Sequence, residues 1–181
     1  KKKQSHENIK DALTILCKMD HRGARGAEPN SGDGAGILTG MPHEFFSAIA
    51  KESFLVDLDS ENYSVGNVFL PNDKKERDFC KDYFSEMCHE NELKIVGWRD
   101  LPIDKEKADI GPSALEAMPY IEQIFVIDNN SKSEQEDFER RLYLARKKTS
   151  NHLRGNSKLK EADLFYICSL SSKTIVYKGM L

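Results

Sequence analysis

No apolar run in this chain approaches the roughly 20 residues that a membrane-spanning helix needs. Nor does its start read as a signal peptide. Cysteine is sparse and scattered: Cys17, Cys80, Cys88 and Cys168 form no C-x-x-C, which removes zinc-ribbon and dithiol redox readings. All four fall on apolar faces or in an apolar run, so they are expected as buried free thiols in a reducing compartment. Basic excess is missing too. Lys and Arg number 27 against 30 Asp and Glu, for a net charge of -3, and Lys1–Lys3 and Lys147–Lys148 are short solvated runs, so nucleic acid is excluded as a partner. There is no internal repeat and no low-complexity segment. What remains, 181 residues with 39% apolar and 31% charged, suits one soluble domain with a sizeable core.

Glycine is scarce as well, eleven residues in all, but Gly23, Gly26, Gly32, Gly34 and Gly36 crowd into the stretch from His21 to Leu38. That density asks for positive-φ or close-approach backbone, which glycine takes without strain. A polar loop held between two core elements is where binding and catalysis concentrate. Its chemistry is one fixed cation, Arg22, a second in Arg25, and carboxylates at Glu28 and Asp33. The plain alternative is a tight turn from helix to strand. A phosphate cradle fits badly, because a P-loop follows a strand and opens a helix with Gly-Lys-Ser/Thr, and no window reads G-x-G-x-x-G.

Periodicity supplies the frame. A helix from Ser5 shows Ile9, Ala12, Leu13, Leu16 and Met19 on one face. Gly34 to Met41 reads as a buried strand, and Pro42 opens a helix with Phe45, Phe46 and Ile49 inward. Val65 to Leu70 is a strand. Asp73 with Glu76 has the spacing of a capping box ahead of a helix striped with Phe79, Cys80, Tyr83, Phe84, Met87 and Cys88. Leu93 to Trp98 is a strand, Arg99 to Ser113 an irregular connection, and Ile121 to Ile127 a strand covered on both faces. Ser133 with Glu136 caps a last helix, with Phe138, Leu142 and Ala145 inward and Gly155 as its stop. Leu164 to Leu170 and Lys173 to Lys178 flank Ser171–Ser172 as a hairpin. The class is α+β, with helices layered on antiparallel sheet.

The loop motif H-R-G-A-x-G-x-E-x-N-S/T-G-D-G-A-G-I-L, followed by M-P-H-E-F-F, resembles the glutaminase domain of glutamate synthase. The resemblance continues in S-H-E-N-I-K-D-A-L, in V-G-W-R-D-L-P (Val96 to Pro102), in P-Y-I-E-Q-I-F-V (Pro119 to Val126) and in Y-I-C-S-L-S-S-K-T-I-V-Y-K-G-M-L (Tyr166 to Leu181). It spans the chain. This is a class II glutamine amidotransferase of the N-terminal-nucleophile hydrolase type, whose fold is two stacked antiparallel sheets between helical layers (αββα).

The resemblance implies hydrolysis of L-glutamine to glutamate and ammonia by an N-terminal cysteine whose own α-amine is the base. It implies that Arg22 supports that cysteine and that Gly23 lines the substrate pocket. Both fit the chemistry, since a fixed guanidinium favours a thiolate and a side chain at Gly23 would crowd the pocket. An ion pair of Arg22 with Asp20 or Asp33 is the structural alternative. Arg25 reads as surface, Asp33 as a turn cap, His21, His43 and His89 as hydrogen-bonding or surface histidines, and Trp98 and Arg99 as core and supporting residues. No metal site is expected here. The resemblance also implies FMN and an iron–sulfur cluster in other domains. There 2-oxoglutarate would receive the ammonia, with electrons from a reduced nicotinamide or ferredoxin, in the cytoplasm or a plastid.

Residues 1–181 thus read as a partial domain, because the nucleophile strand is expected before Lys1 and the H-N-G-E oxyanion block after Leu181. A stand-alone class II amidotransferase-like subunit and a non-catalytic scaffold fragment are the alternatives. The 181-residue chain by itself is expected to release no ammonia from glutamine above a buffer blank, and measurable release would contradict that reading.

Overall fold

The computed structural model describes residues 5–24, 26, 28, 30–32, 34–130 and 134–179. The chain forms two compact units, one of residues 1–37, 103–118 and 177–181, the other of residues 38–102 and 119–176.

The first unit opens with α1 (His6–Lys18), capped where Ser5 Oγ accepts the Glu7 N–H. The amphipathic pattern is present, yet no residue of α1 is buried, and Leu13 and Met19 stay about half exposed. A single 3₁₀ turn, Asp20–Arg22, ends it. The stretch Arg99–Ser113, expected to be irregular throughout, contains α4 (Lys105–Ala108) and the start of α5 (Pro112–Glu116). Both are too short for a periodic signature. Asp104 caps the first by accepting the Lys107 N–H, and Pro112 pre-sets φ at the start of the second.

The second unit is built on a four-stranded antiparallel sheet. Its strands are β2 (Tyr63–Leu70), β3 (Leu93–Asp100), β4 (Tyr120–Asp128) and the two-residue β5 (Tyr166–Ile167), in the order β3-β4-β2-β5. The β2–β4 pair is in continuous register from Tyr63↔Ile127 to Leu70↔Tyr120. Two long helices, α3 (Lys74–Glu90) and α6 (Gln135–Arg154), lie against one face. There Val68, Leu70, Ile124 and Val126 meet Phe84, Met87, Phe138 and Leu142 in one core. The other face carries α2 (His43–Phe54), whose Phe46 and Phe54 rings meet Phe125 edge-on at 5.7 and 5.4 Å. Period-2 alternation sorts the two faces: Ile124 and Val126 point one way and Phe125 the other.

Two expectations change. The strand expected to be buried is β1 (Ala35–Gly40), and it alternates between partly covered and exposed, with Leu38 64% exposed. Among the described residues it pairs with β6 (Thr174–Gly179), in a two-stranded sheet. The expected C-terminal hairpin does not form, because β5 joins the large sheet and β6 joins β1. Side chains redirect the chain between them. Glu139 accepts the Ser172 N–H and both serine hydroxyls, of Ser171 and Ser172. Ser169 Oγ accepts the Val176 N–H, and Asn67 Nδ2 donates to the Val176 carbonyl. The bonds a hairpin would have used are taken.

The first capping expectation holds on one side only. Asp73 accepts the Glu76 N–H, while the Glu76 carboxylate accepts the N–H groups of Lys160 and Glu161. The second rested on Ser133, which lies outside the described residues. α6 does run to Gly155, with Phe138, Leu142 and Ala145 buried.

Arg141 is the buried cation of this core, 5% exposed. It bonds Asp128 at 2.5 Å and Asp137 at 2.8 Å, and donates to the carbonyls of Asn91 and Glu92. Removing one partner of such a pair leaves a buried charge without compensation. Arg141→Met is expected to cost about 3 kcal/mol of unfolding free energy by denaturant titration. A loss within about 0.5 kcal/mol, the scale of an ordinary surface change, would contradict it.

Candidate functional site

His21, Arg22 and Gly23 form the short turn that ends α1. The Arg22 N–H donates to the Met19 carbonyl at 2.8 Å and the Gly23 N–H to Asp20 at 3.1 Å. His21 Nδ1 lies 3.0 Å from the Lys18 carbonyl, so the ring is occupied with its own helix end. Both Arg22 and Gly23 are exposed.

Gly23 has φ -82 and ψ 147, a conformation any residue adopts. Among the described residues, a Cβ built there would meet the Asp20 carbonyl alone, at an ordinary 3.5 Å. Neither backbone strain nor crowding within the described chain requires glycine at this position.

Beyond the turn, the loop closes on itself. The Gly26 N–H donates to the Ser31 carbonyl at 2.8 Å, and the Ser31 N–H to Glu28 at 3.2 Å. The partly buried Glu28 carboxylate accepts the Ser113 hydroxyl at 2.9 Å, the Ser113 N–H at 3.2 and 3.3 Å, and the Ser31 hydroxyl at 3.1 Å. The Ser113 hydroxyl bond, opposed in part by desolvation and aided by the Ser113 N–H and Ser31, holds the carboxyl below the usual range. Asn30 donates to Asp109 at 3.0 Å, and its carbonyl accepts the Gly111 N–H. These long-range partners of Glu28 were not legible in the sequence, where it stood only as one of two loop carboxylates. Arg25 and Asp33 lie outside the described residues.

A second cluster joins His43, Ser47 and Tyr63. The Tyr63 hydroxyl lies 3.3 Å from His43 Nδ1, and burial pushes its phenol up to about 12. Ser47 Oγ is 3.4 Å from both ring nitrogens of His43, so it is aimed along neither lone pair, as a nucleophile–base pair would require. His89 belongs elsewhere, lining a shallow cavity with Ser85, Leu93 and Lys94.

Trp98 packs on the main core and Lys81 Nζ sits 4.7 Å from its ring centre, while Arg99 donates to Gln123. Gln123 in turn donates to Asn67 across the register of β4 and β2. Core and supporting roles for Trp98 and Arg99 agree with these contacts. Among the described residues no three His, Cys, Asp or Glu are grouped as metal ligands would be, and no helix is long and apolar enough to cross a membrane.

The cysteines divide. Cys80 and Cys88 are buried, and burial pushes their thiols up to about 11 and about 12. Cys17 is exposed on α1, contrary to expectation, because that helix buries none of its residues, and Cys168 is partly exposed. Alkylation by iodoacetamide at neutral pH should therefore modify Cys17 in the native chain and leave Cys80 and Cys88 unmodified until denaturant is added. Native-state labelling of Cys88 at the rate of Cys17, by peptide mass spectrometry, would contradict this.

The family model described as "Glutamine amidotransferases class-II" matches residues 1–181. The chain is 40% identical over 181 residues to the chloroplastic ferredoxin-dependent glutamate synthase of Oryza sativa subsp. japonica. That match covers 100% of this chain and 11% of the rice protein. It is 36% identical over 181 residues to the NADPH glutamate synthase large chain of Bacillus subtilis (strain 168), again covering 100% and 11%. To the NADH glutamate synthase of Schizosaccharomyces pombe the identity is 40% over 185 residues, covering 98% of this chain and 8% of that one. The chain thus spans about a tenth of the length of these relatives.

Proposed function

This chain belongs to the class II glutamine amidotransferases, matched over its whole length, and from that membership we propose that it serves as the glutaminase domain of a glutamate synthase. In this reading a cysteine thiolate supplied by the complete domain attacks the γ-carbonyl carbon of glutamine. The C–N bond breaks, ammonia leaves with the proton first taken by the cysteine's α-amine, and a thioester remains. Water then adds to the thioester carbonyl, the C–S bond breaks, and glutamate and the thiol are released.

Arg22 places a permanent cation beside the thiolate, favouring the charged nucleophile. Gly23 leaves room for the substrate. The observation that carries this reading is the backbone at Gly23, which any residue could adopt and into which a Cβ would fit.

The ammonia would pass to 2-oxoglutarate in another domain, with electrons from a nicotinamide or ferredoxin, in cytoplasm or plastid. FMN and an iron–sulfur cluster supply the redox chemistry there. Among the described residues the cysteines are not grouped as cluster ligands would be: Cys80 and Cys88 are buried two turns apart on α3, Cys17 is on α1, and Cys168 follows β5. No step here runs through them.

Arg22→Lys in a full-length glutamate synthase keeps the charge but loses the planar fork. It is expected to lower glutamine-dependent turnover by roughly 10²-fold, the scale of one preorganised electrostatic contact. Amination of 2-oxoglutarate by added ammonium should change little. Equal loss of both activities would make Arg22 a structural residue, and unchanged glutamine turnover would remove it from the site.

A further inference from the structure

The glycine loop does not hold itself. Its carboxylate Glu28 reaches Ser113, 85 residues along the chain, and with Ser31 and Asn30 it meets a segment at Asp109, Gly111 and Ser113 in the β3–β4 connection. The fit is close. A Cβ on Gly111 would overlap the Glu28 carboxylate and crowd the Ser31 hydroxyl, so both would have to shift. Gly111 itself has φ -63 and ψ 155, so its backbone does not call for glycine, and a side chain there would have to displace the Glu28 carboxylate and the Ser31 hydroxyl. α5 is also capped from outside, since no side chain at its N-cap position bonds the helix and the Glu28 carboxylate takes the Ser113 N–H.

This clamp sits close to the candidate wall. The Gly26 N–H is fixed to Ser31, and only three peptide links, at most about 11 Å of chain, separate Gly26 from Gly23. We propose that Glu28 is a positioning residue for glutamine hydrolysis: by clamping the glycine loop to residues 109–113, it sets where Arg22 and Gly23 stand. The inference rests on the glutaminase reading above and adds a distant segment to the machinery that the reading uses.

Carboxylate chemistry is specific here. Glu28 acts only as acceptor, to two hydroxyls and one N–H. Glutamine in its place keeps the shape but turns one oxygen into an NH₂ donor facing donors. The test uses Glu28→Gln, Ser113→Ala and Gly111→Ala in a full-length glutamate synthase, with Arg22→Ala as the reference. Each clamp variant is expected to lower glutaminase kcat/KM by about tenfold to a hundredfold, the scale of a small misplacement near the chemistry. Ammonium-driven amination should stay at the wild-type rate.

Two readouts separate positioning from mere stability. The acid limb of the glutaminase pH profile should move to higher pH in Glu28→Gln, in the direction of Arg22→Ala, because a displaced guanidinium stabilises the thiolate less. Glu28→Gln combined with Arg22→Ala should lose no more than Arg22→Ala alone. Wild-type kinetics in Glu28→Gln and Ser113→Ala would overturn the proposal, as would losses that multiply with Arg22→Ala or fall equally on both activities. Gly111→Ala adds steric disruption, and if it does not fold the other two variants decide. A wild-type enzyme that releases no ammonia from glutamine would instead remove the glutaminase reading, and the proposal with it.

Discussion

The pairing of β2 with β4 is the constraint on which the larger unit depends. Eight residue pairs run without a break from Tyr63↔Ile127 to Leu70↔Tyr120. Most residues of the two strands are buried and the rest partly so. With both faces covered, a one-residue slip would exchange the residues facing α3 and α6 with those facing α2. The polar residues inside the pair make such a slip costlier still. Asn67 stands opposite Gln123, which stands opposite Arg99 on β3, and hydrogen bonds join all three. Shifted by one, buried amides would face apolar side chains without partners. The ladder therefore specifies register as well as satisfying itself.

Carboxylates do a second kind of work, joining segments distant in sequence by accepting backbone N–H groups. Glu139 holds the corner at Ser171–Ser172, Glu76 takes the N–H groups of Lys160 and Glu161, Glu161 takes those of Asn72 and Asp73, and Glu28 takes that of Ser113. In each case the acceptor is a charged oxygen and the donors are amides that no strand or helix has used. Such charge-assisted bonds are shorter and stronger than neutral ones. Several fix a loop where the sheet or helix hydrogen bonding runs out, which is where a fold this rich in connections would otherwise be loose.

What could be read from the sequence was what depends on short-range pattern. The stripes of α3 and α6, the apolar run of β4 and the stop at Gly155 all follow from periods of 3.6 or 2 and from local caps. What could not be read were decisions taken over long range. The serine pair at 171–172 looks like a hairpin turn, but Glu139 and Asn67 divert the strand after it to β1. The apolar face of α1 looks like core, yet Ile9, Ala12 and Leu16 are only partly covered and no residue of the helix is buried. α4 and α5 hold too few residues to show a period. For the candidate site, the H-R-G motif was legible as chemistry, whereas the segment that braces it was legible only as a broken connection.

Gly23 and Gly111 show why motif and brace differ in this way. Both have ordinary backbone angles, so neither is kept for a turn only glycine can make. At Gly111 the reason lies inside the chain, since the Glu28 carboxylate occupies the space of a Cβ. At Gly23 a Cβ would make only an ordinary contact with the Asp20 carbonyl among the described residues. A fold accounts for the first glycine through packing and leaves the second unexplained by its own contacts. Local rules and tertiary packing ordinarily agree throughout a foldable sequence, and the positions where they fall silent are those shaped by something the chain binds. On the proposed glutaminase reading, the open side of Gly23 is where the substrate would lie. The filled side of Gly111 is the mark of the structure that keeps the first in place.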